Sequence, residues 1–262
     1  MSAPNDRMTA ALAGAVLAVG EDQFGDAILR AVNTLAEVDL CSAFRVQSSE
    51  APQHLCSAGN LPQIPRFAEV ASSNYASVYW RRDALALMMQ NLASGGDEVH
   101  VFRQAWNDIR DSEYRRACYE RASIVERITM LRSGPSSVCL SVYRTEATGP
   151  SSALDCERLE ACAPILTAAV AKHASIRSLY TRSAASESAI LIALLQREEG
   201  LSSREAEIAA ALAVGRTQAE IAKDTGLTLN SVITYRKRAY GKLGISDRHA
   251  LQRWVRSMRD CH

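Results

Sequence analysis

The feature that most constrains this 262-residue chain is a set of helix start and stop signals near its C-terminus. Ser202 and Glu205 have the spacing of a capping box, in which each side chain accepts a hydrogen bond from the other residue's backbone amide at a helix start. Thr217 and Glu220 repeat this pattern. Glycines that permit the left-handed backbone at a helix end follow the helical stretches. These glycines are Gly215, Gly226 and Gly244.

Two of the helices that these signals predict are short and meet at a tight corner. The second helix opens at Thr217 and the third at Thr228, and Gly226 between them permits a sharp turn. This arrangement is typical of a helix-turn-helix, whose second helix projects outward and can enter the major groove of DNA. A fourth helix is predicted to follow, with Ser246 as its N-cap.

The third helix of this region has one apolar and one polar side. Val232, Ala239 and Leu243 fall on the apolar side at helical spacing. The opposite side and its flanks carry residue types that hydrogen-bond base edges and phosphates. These residues are Asn230, Thr234, Lys237, Arg238 and Lys242. We therefore interpret the third helix as a recognition helix.

A short basic run such as 236–238 usually marks no more than a solvated helix face. Two observations favour DNA contact here. The caps and the corner agree with one docking geometry, and residues 201–262 hold eleven basic against six acidic residues, whereas residues 1–200 are net acidic. Arg236 projects toward the packed side, and we expect it to pair with Glu205 or another acidic residue of the first helix.

The composition of the whole chain is that of a folded globular protein, with 47% hydrophobic and 23% charged residues and a net charge of +1. The Ala-rich stretch 8–19 is too short to span a bilayer and lacks the features of a signal peptide, so we expect a cytoplasmic protein. Seven cysteines without C-x-x-C spacing and five scattered histidines predict no metal site. Without a phosphate-binding glycine loop or a nucleophile motif, we expect neither a cofactor nor enzymatic activity.

The C-terminal motifs resemble the DNA-binding domain of LuxR-type bacterial transcriptional regulators. The resemblance covers about 60 residues and is carried by several short stretches. These are Leu201-Ser202-Ser203-Arg204-Glu205, Gly215, Glu220-Ile221-Ala222, Ser231-Val232, Tyr235-Arg236-Lys237-Arg238 and Lys242-Leu243-Gly244-Ile245.

This resemblance implies a four-helix domain whose third helix enters the major groove and whose fourth helix contributes to a dimer on pseudo-palindromic double-stranded DNA. The groove-facing positions of the family fall here on Ile233, Thr234 and Lys237. Ile233 departs from the family, which often has Lys or Arg there, and an apolar contact such as a thymine methyl is expected instead. The full set of expected DNA-binding residues is Thr217, Gln218, Asn230, Ser231, Ile233, Thr234, Lys237, Arg238 and Lys242.

The first part of the chain predicts an α+β fold, with helices at both ends and about five short antiparallel strands between them. Two helices are expected within 8–38, with Gly20 and Gly25 as breaks, and others over 67–92, in one piece or two, and 112–121. The strands are predicted at 40–46, 54–58, 98–102, 124–131 and 138–144. This layout is that of a GAF- or PAS-like α-β-α sensor sandwich.

This first part is similar, more weakly, to the GAF-like or autoinducer-domain-like input modules that precede LuxR-type DNA-binding domains. In acyl-homoserine-lactone receptors an aromatic-x-x-x-Tyr pair and a following Asp-Pro hold the lactone. Tyr75, Tyr79, Trp80 and Asp83 are the corresponding ligand-binding candidates, but the acid follows too soon and the proline is missing. Tyr75, Tyr79 and Asp83 would share one helix face, and aromatic packing with Asp83 as a cap or an arginine partner is the alternative.

The chain is thus expected to have an input domain (1–175), a helical linker (176–199) and a four-helix DNA-binding domain (200–262). We expect a homodimeric transcriptional regulator controlled by a small-molecule effector or a partner at the first domain. Two alternatives stay open. The first domain is a dimerisation or protein-interaction module in an orphan regulator, or the chain is an acyl-homoserine-lactone quorum-sensing receptor.

Overall fold

A computed structural model describes residues 4–48, 50–59, 61–196 and 200–259. Contacts within the chain divide it into two compact units, Met1–Arg177 and Ser178–His262, called here the N-terminal and C-terminal units. The helices within these ranges include none that is long and apolar enough to cross a membrane.

The N-terminal unit is built on one five-stranded antiparallel sheet, as the sequence predicts. Its spatial order is β2-β1-β5-β4-β3, so the predicted hairpin of the first two strands forms one edge. The strands are β1 (Leu40–Arg45), β2 (Gln53–Ala58), β3 (Val99–Ala105), β4 (Ile124–Arg132) and β5 (Val138–Thr145).

One face of the sheet packs against α1 (Pro4–Leu17), α2 (Phe24–Val32) and the first part of α6 (Ala153–Leu195). Gly25 was expected to break the helical pattern, but it lies in the first turn of α2. A Cβ atom on Gly25 would stand 2.8 Å from the backbone oxygen of Ser57. The glycine therefore allows α2 to approach β2 closely. A glycine in a sequence can mark such a close approach as well as a break in a helix.

The other face of the sheet packs against α3 (Phe67–Ser77), α4 (Ala84–Ala93) and α5 (Ser112–Cys118). The helical pattern predicted over 67–92 is interrupted by a short 3-10 helix and by Asp83, whose extended backbone (ψ 109°) and side chain cap α4. Hence Tyr75, Tyr79 and Asp83 do not share one helix face, and that expectation was wrong. The helix predicted to reach residue 121 ends at Cys118 and is followed by another 3-10 turn.

The C-terminal unit contains the four predicted helices and the last part of α6. They are α7 (Ser203–Ala213), α8 (Gln218–Thr225), α9 (Leu229–Leu243) and α10 (Arg248–Arg259). Ile190 and Leu194, in the segment expected to be a linker, are buried in the same apolar cluster as Ile208, Val232 and Leu251. Residues 176–195 of this segment are helical, as the sequence predicts, and the domain boundaries themselves stay a prediction.

Candidate functional site

The predicted helix-turn-helix is present in the C-terminal unit and is set by its caps. Thr217 Oγ1 accepts from the amide of Glu220 at 3.2 Å, and the Glu220 carboxylate accepts from the amide of Thr217 at 2.7 Å. Gly226, at φ +67°, ends α8, and Thr228 caps α9 two residues later. The corner between the two helices therefore follows from these few residues.

The fourth helix begins differently from the prediction. Asp247, rather than Ser246, accepts a hydrogen bond from the amide of Ala250, at 2.8 Å, while the Ser246 hydroxyl donates to the Asp247 carboxylate. An aspartate is as good an N-cap as a serine, and its charge also interacts favourably with the helix dipole. The start of α10 is thus one residue later than expected.

The recognition helix α9 has the two sides that its sequence predicts. Val232, Ala239 and Leu243 are buried, whereas Asn230 and Thr234 are exposed. Lys237, Arg238 and Lys242 are likewise exposed, and Ser231 and Ile233 are half-buried. The hydroxyl of Thr234 donates to the backbone oxygen of Asn230 at 2.9 Å, which leaves its oxygen free to accept a hydrogen bond. The exposed side of α9 thus offers both donors and acceptors.

A cleft of about 690 Å³ lies beside α9, between the N-terminal end of α8 and the start of α10. Thr217, Gln218 and Lys237, which the sequence singled out, line it together with Arg236 and Arg248. Arg236 does not pair with Glu205 as expected. Its guanidinium lies 6.0 Å from the ring centroid of Tyr240, at the cleft, because one helical turn separates the two residues.

The partner of Glu205 is Lys242, one of the expected DNA-binding residues. Lys242 Nζ donates to the buried Glu205 carboxylate at 2.7 Å and to the backbone oxygen of Gly200 at 2.9 Å. The hydrogen bond from Lys242, with that from the Ser202 amide, lowers the pKa of Glu205. In this structure Lys242 therefore fastens the end of α9 to the start of α7, although its side chain stays 40% exposed.

The N-terminal unit holds a second unusual site, a buried ion pair beneath α4. Arg127 of β4 donates to both oxygens of Asp83, at 2.8 and 3.2 Å, and both side chains are almost fully buried. Arg127 lies in register with Gln104 on one side and Tyr143 on the other, and it also donates to Gln104 Oε1. The ion pair therefore joins the sheet to the helical layer.

Tyrosine hydroxyls surround this ion pair, which we call the Asp83–Arg127 centre. Tyr75 donates to Asp83 at 2.9 Å and Tyr114 donates to it at 3.3 Å. Tyr114 also lies 3.3 Å from Tyr119, oxygen to oxygen. Together with the Leu85 amide and the two guanidinium nitrogens, Asp83 accepts from five donors. Its oxygens have no remaining acceptor capacity.

The ionisation of the centre follows from these contacts. Burial opposes the charge on Asp83, but Arg127 and the hydrogen bonds hold its pKa below the usual value. Burial, with the negative charge of Asp83 nearby, raises the pKa of Tyr75. Burial raises the pKa of Tyr114 as well. The tyrosines are therefore neutral hydrogen-bond donors and the centre carries no net charge at neutral pH.

A small cavity of about 30 Å³ lies beside the centre, between the sheet and α3 and α5. One buried water requires ~10–15 Å³, so the space holds about two waters. Its lining is apolar except for a few hydroxyls. The lining residues are Leu40, Cys41, Ser42, Phe44, Phe67, Ala68, Ala71, Ser72, Tyr75, Tyr114, Cys118, Tyr119, Ile124 and Tyr143.

Two buried hydrogen-bond donors of the same packed region lack a partner. Among the residues that the structure describes, none accepts a hydrogen bond from Trp80 Nε1 or Arg127 Nε. A buried donor without a partner costs ~1–3 kcal/mol, so such atoms are uncommon in folded proteins. An acceptor supplied from outside the chain would recover this energy.

The structure brings together three of the four ligand-binding candidates. Tyr75 and Asp83 are hydrogen-bonded, and Tyr79 stacks on Tyr114 with ring centroids 5.8 Å apart. Trp80 is buried in the same apolar cluster, and its indole N–H makes no hydrogen bond within the described residues. The sequence analysis missed Arg127. The alternation of β4 offered a signal, since Arg127 shares its face with Leu131, which is buried against the helical layer.

The C-terminal geometry defines a helix-turn-helix DNA-binding regulator. Residues 199–255 match the family described as bacterial regulatory proteins, luxR family. The resemblance noted in the sequence is thereby confirmed. A comparison with curated protein sequences finds no match.

Solved structures that are similar to this chain include three from bacteria. The VqsR LBD domain from Pseudomonas aeruginosa is 17% identical, with 64% of this chain and 96% of that one covered and a TM-score of 0.48. An N-acylhomoserine lactone dependent LuxR family transcription factor from Burkholderia cenocepacia is 13% identical, with 63% and 92% covered and a TM-score of 0.46. Escherichia coli SdiA is 14% identical, with 94% and 96% covered and a TM-score of 0.40.

Proposed function

We propose that the N-terminal unit binds a small uncharged effector through hydrogen-bond acceptors of that effector, and thereby controls DNA binding by the C-terminal unit. The observation that carries this proposal is the pair of unpartnered donors, Trp80 Nε1 and Arg127 Nε. Neither residue lines the cavity, but Trp80 shares an apolar cluster with Tyr75, and Arg127 donates to Tyr114, and both tyrosines line it. A carbonyl group would satisfy either donor. A charged effector is disfavoured because Asp83 and Arg127 already neutralise each other.

An effector that binds in this region shifts the equilibrium of the regulator only by the amount that it binds one state better than the other. The cavity of about 30 Å³ is too small for a metabolite. Binding therefore requires the helical layer of α3 and α5 to move away from the sheet. We propose that this movement changes DNA binding by the C-terminal unit.

The acyl-homoserine-lactone alternative differs in the role of Asp83. In the receptors that the sequence resembles, the aspartate helps to hold the polar groups of the lactone. Here all the acceptor capacity of Asp83 is used within the chain, since Tyr75, Tyr114, Arg127 and the Leu85 amide donate to it. An amide N–H of a ligand would have to displace one of these donors. We therefore rank a ligand that only accepts hydrogen bonds above an acyl-homoserine lactone.

The orphan-regulator alternative is supported by the same small cavity, because a nearly filled interior needs no ligand.

Thermal unfolding distinguishes the effector proposal from the orphan regulator. The Tm of the full-length protein is measured with each member of a panel of acyl-homoserine lactones and neutral aromatic and aliphatic carbonyl compounds. A ligand at ~100 times its Kd adds ~2.7 kcal/mol to the free energy of unfolding.

The effector proposal predicts that a ligand raises the Tm of the wild type. This rise should be smaller in Trp80→Phe and unchanged in the control Trp106→Phe. Phenylalanine removes the indole N–H of the buried Trp80, whereas Trp106 is 37% exposed and lies outside the buried cluster. An unchanged Tm across the panel, in a protein that binds DNA specifically, favours the orphan regulator.

For the DNA interface we propose that Asn230, Thr234 and Lys237 contact base edges in the major groove. Their exposure on one side of α9 supports this assignment. Ile233 is assigned to an apolar contact with a thymine methyl. The residues assigned to the phosphate backbone are Thr217, Gln218, Ser231, Arg238 and Lys242, and the position of Arg236 at the cleft adds it to this group.

We further propose that the protein is a cytoplasmic bacterial regulator that binds a pseudo-palindromic site as a homodimer. Exposed apolar residues of α6, Leu154 and Ile165, are about three helical turns apart and so lie on one side of the helix. Such a stripe suits a contact with a second copy. Sedimentation of the wild type and of Leu154→Lys/Ile165→Lys tests this, and an unchanged oligomeric state in the variant would argue against α6 as the contact.

A further inference from the structure

A second cleft opens on the surface of the N-terminal unit, beside the N-terminal end of α4. Its volume is about 510 Å³, and three arginines, Arg81, Arg82 and Arg110, line it. The exposed side chain of Leu87 lies on the same wall. This cleft differs from the tyrosine-lined cavity in its lining, since Asp83 belongs to the cleft and not to the cavity.

The three arginines of the cleft differ in their acidic partners. Arg82 pairs with Glu113 and lies 3.7 Å from Asp111. Within the part of the chain that the structure describes, neither Arg81 nor Arg110 has an acidic partner within salt-bridge distance. Of the two carboxylates that line the cleft, Asp83 is buried and neutralised by Arg127, and Asp108 accepts from the amide of Ala105 at 3.1 Å. The cleft therefore presents two guanidinium groups without an acidic partner, those of Arg81 and Arg110, while Asp108 keeps its charge.

The side chain of Arg81 is held in place by an aromatic ring before any ligand binds. The guanidinium of Arg81 lies 4.5 Å from the ring centroid of Trp80, and the indole of Trp80 is itself buried. A cation held over an aromatic ring loses little conformational freedom on binding a ligand. Guanidinium groups match the geometry of carboxylate and phosphate oxygens, so two such groups without an acidic partner suit an oxyanion.

We propose that this arginine cleft binds a small metabolite through a carboxylate or phosphate group, with Arg81 and Arg110 as its ligands. The floor of the cleft connects it to the rest of the unit. Asp83 and Gln104 line the cleft and both hydrogen-bond to Arg127 of the buried centre. An anion in the cleft thus lies beside two hydrogen-bond partners of Arg127. The site does not depend on the effector proposal.

Isothermal titration calorimetry of the full-length protein with sodium phosphate and with sodium succinate, at constant ionic strength kept with chloride, tests the proposal. The cleft variant is Arg81→Gln/Arg110→Gln. The control is Arg116→Gln/Arg121→Gln, which removes the same charge from two exposed arginines outside the cleft. Circular dichroism and the Tm without ligand establish that both variants are folded.

The expected result is saturable binding of at least one anion, with a Kd that rises at least tenfold in the cleft variant and stays within twofold in the control. A preference for phosphate or for succinate identifies which of the two groups the metabolite carries. Absence of saturable binding of either anion overturns the proposal. An equal loss of affinity in both variants overturns it too, because net charge alone would then explain the binding.

Discussion

The buried Asp83–Arg127 centre gives the sharpest prediction for the N-terminal unit. Replacing Arg127 with methionine keeps most of the side-chain volume but leaves the Asp83 carboxylate, 2% exposed, without its cation. Breaking a buried pair by removing one partner costs ~3–5 kcal/mol. The hydrogen bonds from Tyr75, Tyr114 and the Leu85 amide remain, so we expect a loss near the lower end, ~3 kcal/mol.

The pH dependence of this variant has a definite sign. In the wild type the folded-state pKa of Asp83 is depressed, so its contribution to stability is present above the unfolded pKa and is lost as pH falls through the folded pKa. Without Arg127, burial dominates and raises the folded-state pKa above the unfolded value of ~3.9. The loss of stability of the variant relative to the wild type is therefore smallest below the unfolded pKa of Asp83. It grows as pH rises from that value through the raised folded-state pKa of the variant.

Urea unfolding, followed by circular dichroism at pH 5 and pH 7, measures both effects. The matched control is Arg132→Met on the same strand, which removes an arginine whose partner, Asp97, is exposed. A surface pair of this kind contributes ~0–1 kcal/mol. Equal losses in the two variants, or a loss from Arg127→Met that does not shrink between pH 7 and pH 5, would refute the role assigned to the buried pair.

Three further predictions concern the C-terminal unit. Lys237→Ala should cost ~1–3 kcal/mol of DNA-binding free energy and relax sequence preference at one position, whereas a loss that is uniform across sequences in competition binding assays would reassign Lys237 to phosphate. Ile233→Lys should steepen the dependence of log Kd on log salt by ~0.9 if the new cation reaches a phosphate, and an unchanged slope would show that it does not. Thr217→Ala should lower the free energy of unfolding by ~1 kcal/mol through loss of its cap, and Thr217→Ser, which keeps a hydroxyl, should restore most of that loss.

The C-terminal fold was largely predictable because its signals are local. A capping box involves residues three apart, and a glycine with positive φ acts at its own position, so the starts of α7, α8 and α9 follow from short stretches of sequence. The exception at the start of α10 has the same local character. Ser246 and Asp247 are adjacent and both are good caps, and nothing in their spacing selects between them.

The strands of the N-terminal unit were also predictable, because alternation and turn residues delimit them. The Asp83–Arg127 centre was not. Asp83 and Arg127 are 44 positions apart in the chain, and they meet only because the start of α4 packs against β4. A single sequence contains the aspartate and the arginine but not their pairing. The arginine cleft was hidden for the same reason, since Arg81 and Arg110 come from different segments.

Arg236 and Lys242 show how a helical wheel can mislead when two residues have the same charge. The wheel placed Arg236 on the packed side, and Glu205 was the acid available to it. The side chain of Lys242, one residue before the buried Leu243, reaches Glu205 instead, while Arg236 turns to Tyr240. Long flexible side chains choose between partners by distances that backbone periodicity does not determine.

The central claim is that this chain is a regulator that reads DNA sequence through α9, and selection from a random double-stranded DNA library tests it most directly. The full-length protein should enrich one pseudo-palindromic motif, and fluorescence anisotropy at physiological salt should then give at least a thousandfold tighter Kd for that motif than for unrelated DNA. Thr234→Ala should change the enriched motif. Enrichment of no motif, or equal affinity for selected and unrelated DNA, would contradict the account.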